Sequence, residues 1–213
     1  MKAILITIIV LVAGYFIWKT IQTKPDASLP TATVSDVPEN ENVNFQGDIT
    51  KTMPAGQEID NEKVTISFKG FGPGKEHTGD FSDVRSNLSY DASDNLTGTI
   101  IVGMDSLKAN VDDVTKHLKT DAFFDVVKYP TAKFTLESVT GLDAQGANAT
   151  GTFTIHGVTK KVSFPISFSS ATRSYTAKFN IDMKEFGIDQ TFANEVVEVS
   201  VVVPLKKLSF YTP

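Results

Sequence analysis

Between residues 64 and 205 apolar and polar side chains alternate with a period of two, and few folds can absorb such a pattern. Val64, Ile66 and Phe68 face away from Thr65, Ser67 and Lys69. Leu96, Ile100, Val102 and Met104 share one face, as do Ala132, Phe134 and Leu136. The pattern continues through Ala147, Ala149, Gly151, Phe153 and Ile155, then Val162, Phe164, Ile166 and Phe168. Tyr175, Ala177, Phe179, Ile181 and Met183 repeat it, followed by Val197, Val199, Val201, Val203 and Leu205. With a strand around Phe81 to Tyr90, the pattern predicts about eight strands, each apolar on one side.

Such strands predict an all-β, antiparallel fold. A flat sheet leaves its apolar face and two edges in water, whereas closure into a barrel removes both problems. A barrel of about eight strands is either just filled by its own side chains or wide enough for one small ligand. The chain has fifteen Phe and one Trp, so the interior is rich in phenyl rings. One stretch breaks the alternation. Asn110 is placed to cap a short helix, with Asp112 and Asp113 at its positive end. Val111, Val114 and Leu118 then share a helical face, and Pro130 marks the start of the next strand. This helix is expected across one barrel opening, packed there by Val114, Leu118, Phe123 and Phe124.

Two segments precede the barrel. Ala3 to Trp18 carries no charge and is flanked by Lys2 and Lys19. With the lysines reaching to the interfaces, residues 1–21 are just long enough to span a bilayer. Tyr15, Phe16 and Trp18 cluster at one end, as interfacial aromatics do. A cleaved signal peptide is the rival, but no small-x-small site follows the apolar run. The expectation is a single-pass cell-membrane protein with an extracytoplasmic barrel, periplasmic or extracellular; the alternative is a secreted one. Residues 22–58 hold four prolines and set two lysines against six carboxylates. That composition predicts a disordered acidic linker, with Val43 and Phe45 able to add a short strand. Residues 59–213 are the barrel domain.

Composition also excludes functions. The net charge of -5 lacks the basic footprint that nucleic acid requires. Without cysteine there is no disulfide, thiolate metal site or cysteine nucleophile. His77, His117 and His156 lack metal-binding spacing, and no Gly-x-Ser-x-Gly elbow occurs. Gly72-Pro73-Gly74-Lys75 is followed by Glu76 where a phosphate loop needs Ser or Thr, so it predicts a turn. No catalytic residue, metal site or cofactor is assigned, and the chain is not expected to be an enzyme.

Three motifs carry a resemblance. The stretch Val111 to Phe134 contains His117-Leu118, Phe123-Phe124-Asp125-Val126 and Tyr129-Pro130, with Phe134 closing it. Ile155-His156-Gly157-Val158-Thr159-Lys160 and Phe186-Gly187-Ile188 follow in order. Together they resemble the YceI-like family over about 150 residues of the chain. The resemblance implies a lipocalin-like barrel, located outside the cytoplasm, that binds long apolar isoprenoid chains, including quinone tails. The residues placed to grip such a chain are Phe68, Val102, Phe134, Leu136, Phe153, Phe164, Phe168, Phe179 and Val201. Burying ~300 Å² of tail gains about 7 kcal/mol before the costs of association. Small inward residues such as Ala132, Ala147, Ala149, Gly151 and Ala177 favour open space. The other reading is an extracytoplasmic interaction module whose barrel is filled by these same rings and which acts through the loops at Gly70–Lys75 and His156–Lys160.

Overall fold

The computed structural model describes residues 23–38, 58–93, 95–143, 146–189 and 193–206. The proposed membrane segment 1–21 lies outside these residues, as do Val43 and Phe45. Among the described residues no helix is long and apolar enough to cross a membrane.

Among the described residues the architecture is an antiparallel sheet of twelve strands curled into a partly open barrel, with one α-helix. The strands are β1 (Thr33–Ser35), β2 (Thr65–Gly72), β3 (Lys75–Phe81), β4 (Val84–Ser86), β5 (Ser89–Tyr90) and β6 (Leu96–Gly103). After β7 (Leu107–Ala109) and helix α1 (Asp112–Lys119) come β8 (Thr131–Asp143), β9 (Gly146–Ile155), β10 (Val158–Ser169), β11 (Ser174–Asp182) and β12 (Val196–Pro204). Hydrogen bonding links them in the order β4-β6-β8-β9-β10-β11-β12-β2-β3-β7.

The ends of that path meet through the chain itself. β3 runs into β4, and β6 runs into β7 through a 3-10 turn at Met104–Ser106. β3 pairs with β7 while β4 pairs with β6, so the two make one kinked hairpin. The expectation of one closed barrel of about eight strands is therefore corrected to a partly open barrel of twelve strands among the described residues. Kinks divide the strands, and the wall is not a continuous ladder. At the kink the Asp83 carboxylate fills the space a Gly103 side chain would take, and the Gly103 amide donates to the Asp83 carbonyl at 2.9 Å.

A second break lies between β10 and β11. They pair only at Ser167–Ser169 with Ser174–Thr176 and then diverge. Pro165, which has no N–H to donate, stands next to the point where pairing stops. Residues from the acidic segment fill the gap. β1 pairs with β10, setting Val34 opposite Val162. Across the gap the Asn180 amide donates to the Pro30 carbonyl and the Ala32 amide to the Asn180 carbonyl, each at 2.8 Å. Upstream, the Asp26 amide donates to the buried Glu198 carboxylate at 2.9 Å, and the Thr23 hydroxyl donates to the Lys75 carbonyl at 2.7 Å. Over residues 23–38 the segment read as a disordered linker is thus a strap across β2, β12 and β11 that ends as a stave of the wall. Its charged residues Lys24, Asp26 and Asp36 are exposed, while Ala32 and Val34 join the core.

Helix α1 follows β7 and presents Val114 and Leu118 to the core, with Phe123 and Phe124 just after it. Its cap differs from expectation. Val111 is the N-cap and no side chain closes the first turn; Asn110 instead lies 3.3 Å from His77 Nδ1 through its side-chain oxygen. The acidic first turn and basic last turn suit the helix dipole without it. Gly70–Lys75 is a tight hairpin rather than a loop, with β2 reaching Gly72 and β3 starting at Lys75. The β9–β10 hairpin turns on His156 and Gly157, both at positive φ (53° and 76°), as a two-residue turn of this hand requires. A Cβ at Gly157 would meet the Tyr129 ring at 2.6 Å, and that ring packs edge-on to His156.

Candidate functional site

Register decides which side chains meet inside. One row runs Phe179, Val199, Phe68, Gly79 and Ala109 across five strands. Another runs Ala177, Val201 and Ile66. On the opposite wall Ile100, Phe134 and Phe153 align, and Leu136, Gly151 and Val162 form the next row.

These rows build two fully buried clusters. One, at the helix end, holds Phe186, Met104, Leu107, Val162 and Phe179. The other, at the far end, holds Ile59, Leu88, Leu96, Leu136, Tyr175 and Leu205. Ile66, Phe134, Phe164, Ile166 and Val201 pack against both clusters yet are only half-buried themselves. The two clusters therefore meet at a waist of apolar side chains that keep partial exposure. The far cluster is not sealed off: Ile59, Leu88 and Tyr90 also line a pocket of about 540 Å³ at that end.

The rings at the waist form a chain. Phe134 and Phe164 approach to 5.3 Å between centroids, and Phe164 stacks on Phe179 at 4.3 Å and 12°. Phe153 meets Phe186 edge-on at 5.2 Å, and Phe68 meets Phe81 at 5.7 Å. Gly151 makes the first contact feasible: a Cβ there would lie 2.9 Å from the Phe134 ring. Gly79 seats Phe68 in the same way, at 2.5 Å. The expectation that small inward residues leave open space is corrected at Gly151, whose space is taken by a neighbouring ring.

Of the nine residues expected to grip a chain, Phe134, Phe164 and Phe179 form one contiguous group. Val102 is buried in the helix-end cluster and Leu136 in the far one; Phe68 and Phe153 pack against the helix-end cluster, and Val201 packs against both. Phe168 is different: it is 38% exposed at the rim against Tyr175 and belongs to neither cluster. Sequence reasoning placed it inside because its parity matches Phe164, but parity does not reveal where a strand runs past the end of a barrel. Ile66 and Ile166 are waist residues left out of the candidate set, although their alternation marks them.

Polar groups are few inside. Tyr90 and Tyr175 join through their hydroxyls at 3.1 Å in the far cluster. Burial pushes both phenols above their ordinary range, so both stay neutral. Lys160 shares the inner parity of β10 and donates to Asp36 at 2.6 Å. That contact holds the Asp36 carboxyl below the usual carboxylate range and the Lys160 amine above its own. An open depression of about 470 Å³ lies on the outer side of the β2–β3–β12 wall, lined mostly by outward residues such as Lys69, Asp80, Lys108, Lys178 and Glu198; none of the waist residues lines it. The waist itself presents apolar side chains, which can take an apolar chain out of water.

Comparison with known proteins agrees with this geometry. The YceI-like domain matches residues 57–206. A UPF0312 protein of Pseudomonas putida is 33% identical over 120 residues, covering 52% of this chain and 62% of that one. A UPF0312 protein of Pseudomonas fluorescens is 32% identical over the same length. The chain thus spans less than two thirds of these curated relatives. Among solved structures, BcnA of Burkholderia cenocepacia superposes with a TM-score of 0.61 at 16% identity, covering 70% of this chain and 100% of BcnA. A polyisoprenoid binding domain from Saccharophagus degradans superposes with a TM-score of 0.52 at 15% identity, covering 70% of this chain and 97% of that one. At such identities the likeness is one of fold.

Proposed function

We propose, from the premise that this chain belongs to the YceI-like domain family, that its barrel binds one long apolar lipid of the polyisoprenoid or isoprenoid-quinone type. The observation that carries the reading is the half-buried waist of Ile66, Phe134, Phe164, Ile166 and Val201 between two buried clusters. A shared fold with a domain described as polyisoprenoid binding supports it. The protein acts as a binder and not as a catalyst, and needs no cofactor. The uncharged run Ala3–Trp18 supports an extracytoplasmic barrel held near the bilayer in which such lipids dissolve.

One observation favours the rival, a filled barrel acting through its surface. The Phe164–Phe179 stack and the ring seated on Gly151 are contacts of a packed core. The two readings part on one experiment. The protein is purified from its own host and subjected to native mass spectrometry and lipid extraction, and isoprenoid quinone is then added to the delipidated form. The lipid reading expects a co-purifying prenyl lipid and a rise in Tm; saturation at a hundred times Kd adds about 2.7 kcal/mol to stability. No co-purifying lipid, no uptake and an unchanged Tm would leave the filled barrel as the answer.

A further inference from the structure

The stave at residues 30–35 is foreign to the meander around it. β10 and β11 are consecutive antiparallel strands, so a strand inserted between them must run parallel to one of them. It is antiparallel to β10 through Thr33–Ser35 and parallel to β11 at the bridge between Thr31 and Asn180. It is also lightly held. The β9–β10 and β11–β12 seams each carry nine register pairs, whereas β1 and β10 share three. On the β11 side the attachment is the pair of backbone bonds at Asn180, and at its end the exposed Asp36 carboxylate reaches Lys160. Local opening starts where ladder bonds and buried contacts are fewest.

Directly behind this seam lies the waist. Phe164 stands one step along β10 from Val162, the partner of Val34, and Phe179 precedes Asn180 on β11. Their rings stack at 4.3 Å across the gap that the stave closes. We infer that residues 30–36 are a displaceable stave whose withdrawal opens a lateral slot, through which an apolar chain reaches the interior between Phe164 and Phe179. The identity of the passenger rests on the lipid-binding reading above; the movement of the stave does not. A lateral slot suits a long chain, which slides in sideways where entry from an end would force it to thread.

The chain has no cysteine, so a lock can be added cleanly. Val34→Cys with Val162→Cys sits directly opposite in register, where Cβ atoms come close enough to bridge. Thr33→Cys with Ser163→Cys, on the other face of the same strand pair, serves if the first pair does not fold. Uptake of a dansyl-farnesyl probe by the full chain is followed in the oxidised and reduced states. The oxidised lock slows loading about tenfold or more, and reduction restores it, with final occupancy unchanged. Equal rates in the two states overturn the slot. If neither state takes up the probe, the lipid reading fails, and the stave is then judged by alkylation with iodoacetamide. Val162→Cys alone lies behind the stave at 2% exposure, and Leu107→Cys lies on β7 at 1%. The former reacts about tenfold faster or more if the stave withdraws. Equal, slow rates overturn the proposal.

Discussion

At the scale of single residues the barrel is governed by where side chains are missing. Gly151 lets Phe134 cross over β9 and reach Phe164, and the Thr135 carbonyl lies 2.2 Å from where its Cβ would be. Both the ring and a backbone atom must then shift, so Gly151→Ala should destabilise the fold by about 1–3 kcal/mol in denaturant unfolding. Gly70→Ala, which meets nothing within 4 Å, should stay within about 0.5 kcal/mol of the parent. The phenylalanines divide in the same manner. Phe186 is fully buried, and Phe186→Ala should cost about 3–5 kcal/mol. Phe164 is half-buried at the waist, so Phe164→Ala should cost the empty protein clearly less while weakening isoprenoid binding. An equal stability loss at both positions would assign Phe164 to a filled core. Sequence periodicity names both rings as inward, but it carries no information on whether a ring meets a neighbour or a void, because that depends on strands far away in the chain.

At the scale of elements, what was legible followed from local rules and what was missed followed from pairing. The long strands β8 to β12 were legible from period-two alternation, the start of β8 from Pro130, and α1 from its apolar spacing. The Asn110 cap was not, because tertiary contact with His77 takes the side chain away. The stave was missed because prolines and carboxylates dominate the composition of its segment. Its one local signal is the alternation Thr31-Ala32-Thr33-Val34-Ser35, too short to outweigh the prolines around it. The strap makes a pH prediction. Lys160 holds the Asp36 carboxyl below the ordinary carboxylate range, and Ser28 does so for Asp26. A depressed carboxylate adds stability above its ordinary value and loses it as pH falls through the lowered one. The amide shifts of Val34 and Ser35 should therefore hold steady from neutral to mildly acid pH and move only below the usual carboxylate range. In Asp36→Asn the movement due to this pair should vanish. Shifts that titrate near neutrality would contradict the assignment to Asp36.

At the scale of the whole molecule, a curled antiparallel sheet joins two buried clusters through a half-buried apolar waist. The alternation made the curl legible, since rolling hides apolar faces that a flat sheet would leave in water, but it did not show that the barrel stays partly open. The kinks at Asp83 and Gly103, and the split beside Pro165, were illegible because they are compromises among strands rather than properties of any one. The consequence is a protein whose chemistry is burial: rings, aliphatic side chains and two neutral phenols inside, charges on the strap and outer face. The most direct measurement of that account is photo-crosslinking with a diazirine-bearing prenyl chain, followed by peptide mapping of the labelled protein. The account predicts label on the inner-face residues of β2, β8, β10 and β12, centred on Ile66, Phe134, Phe164, Ile166 and Val201, and its loss on competition with unlabelled isoprenoid quinone. Label confined to the outer face, or label that quinone does not displace, would contradict it.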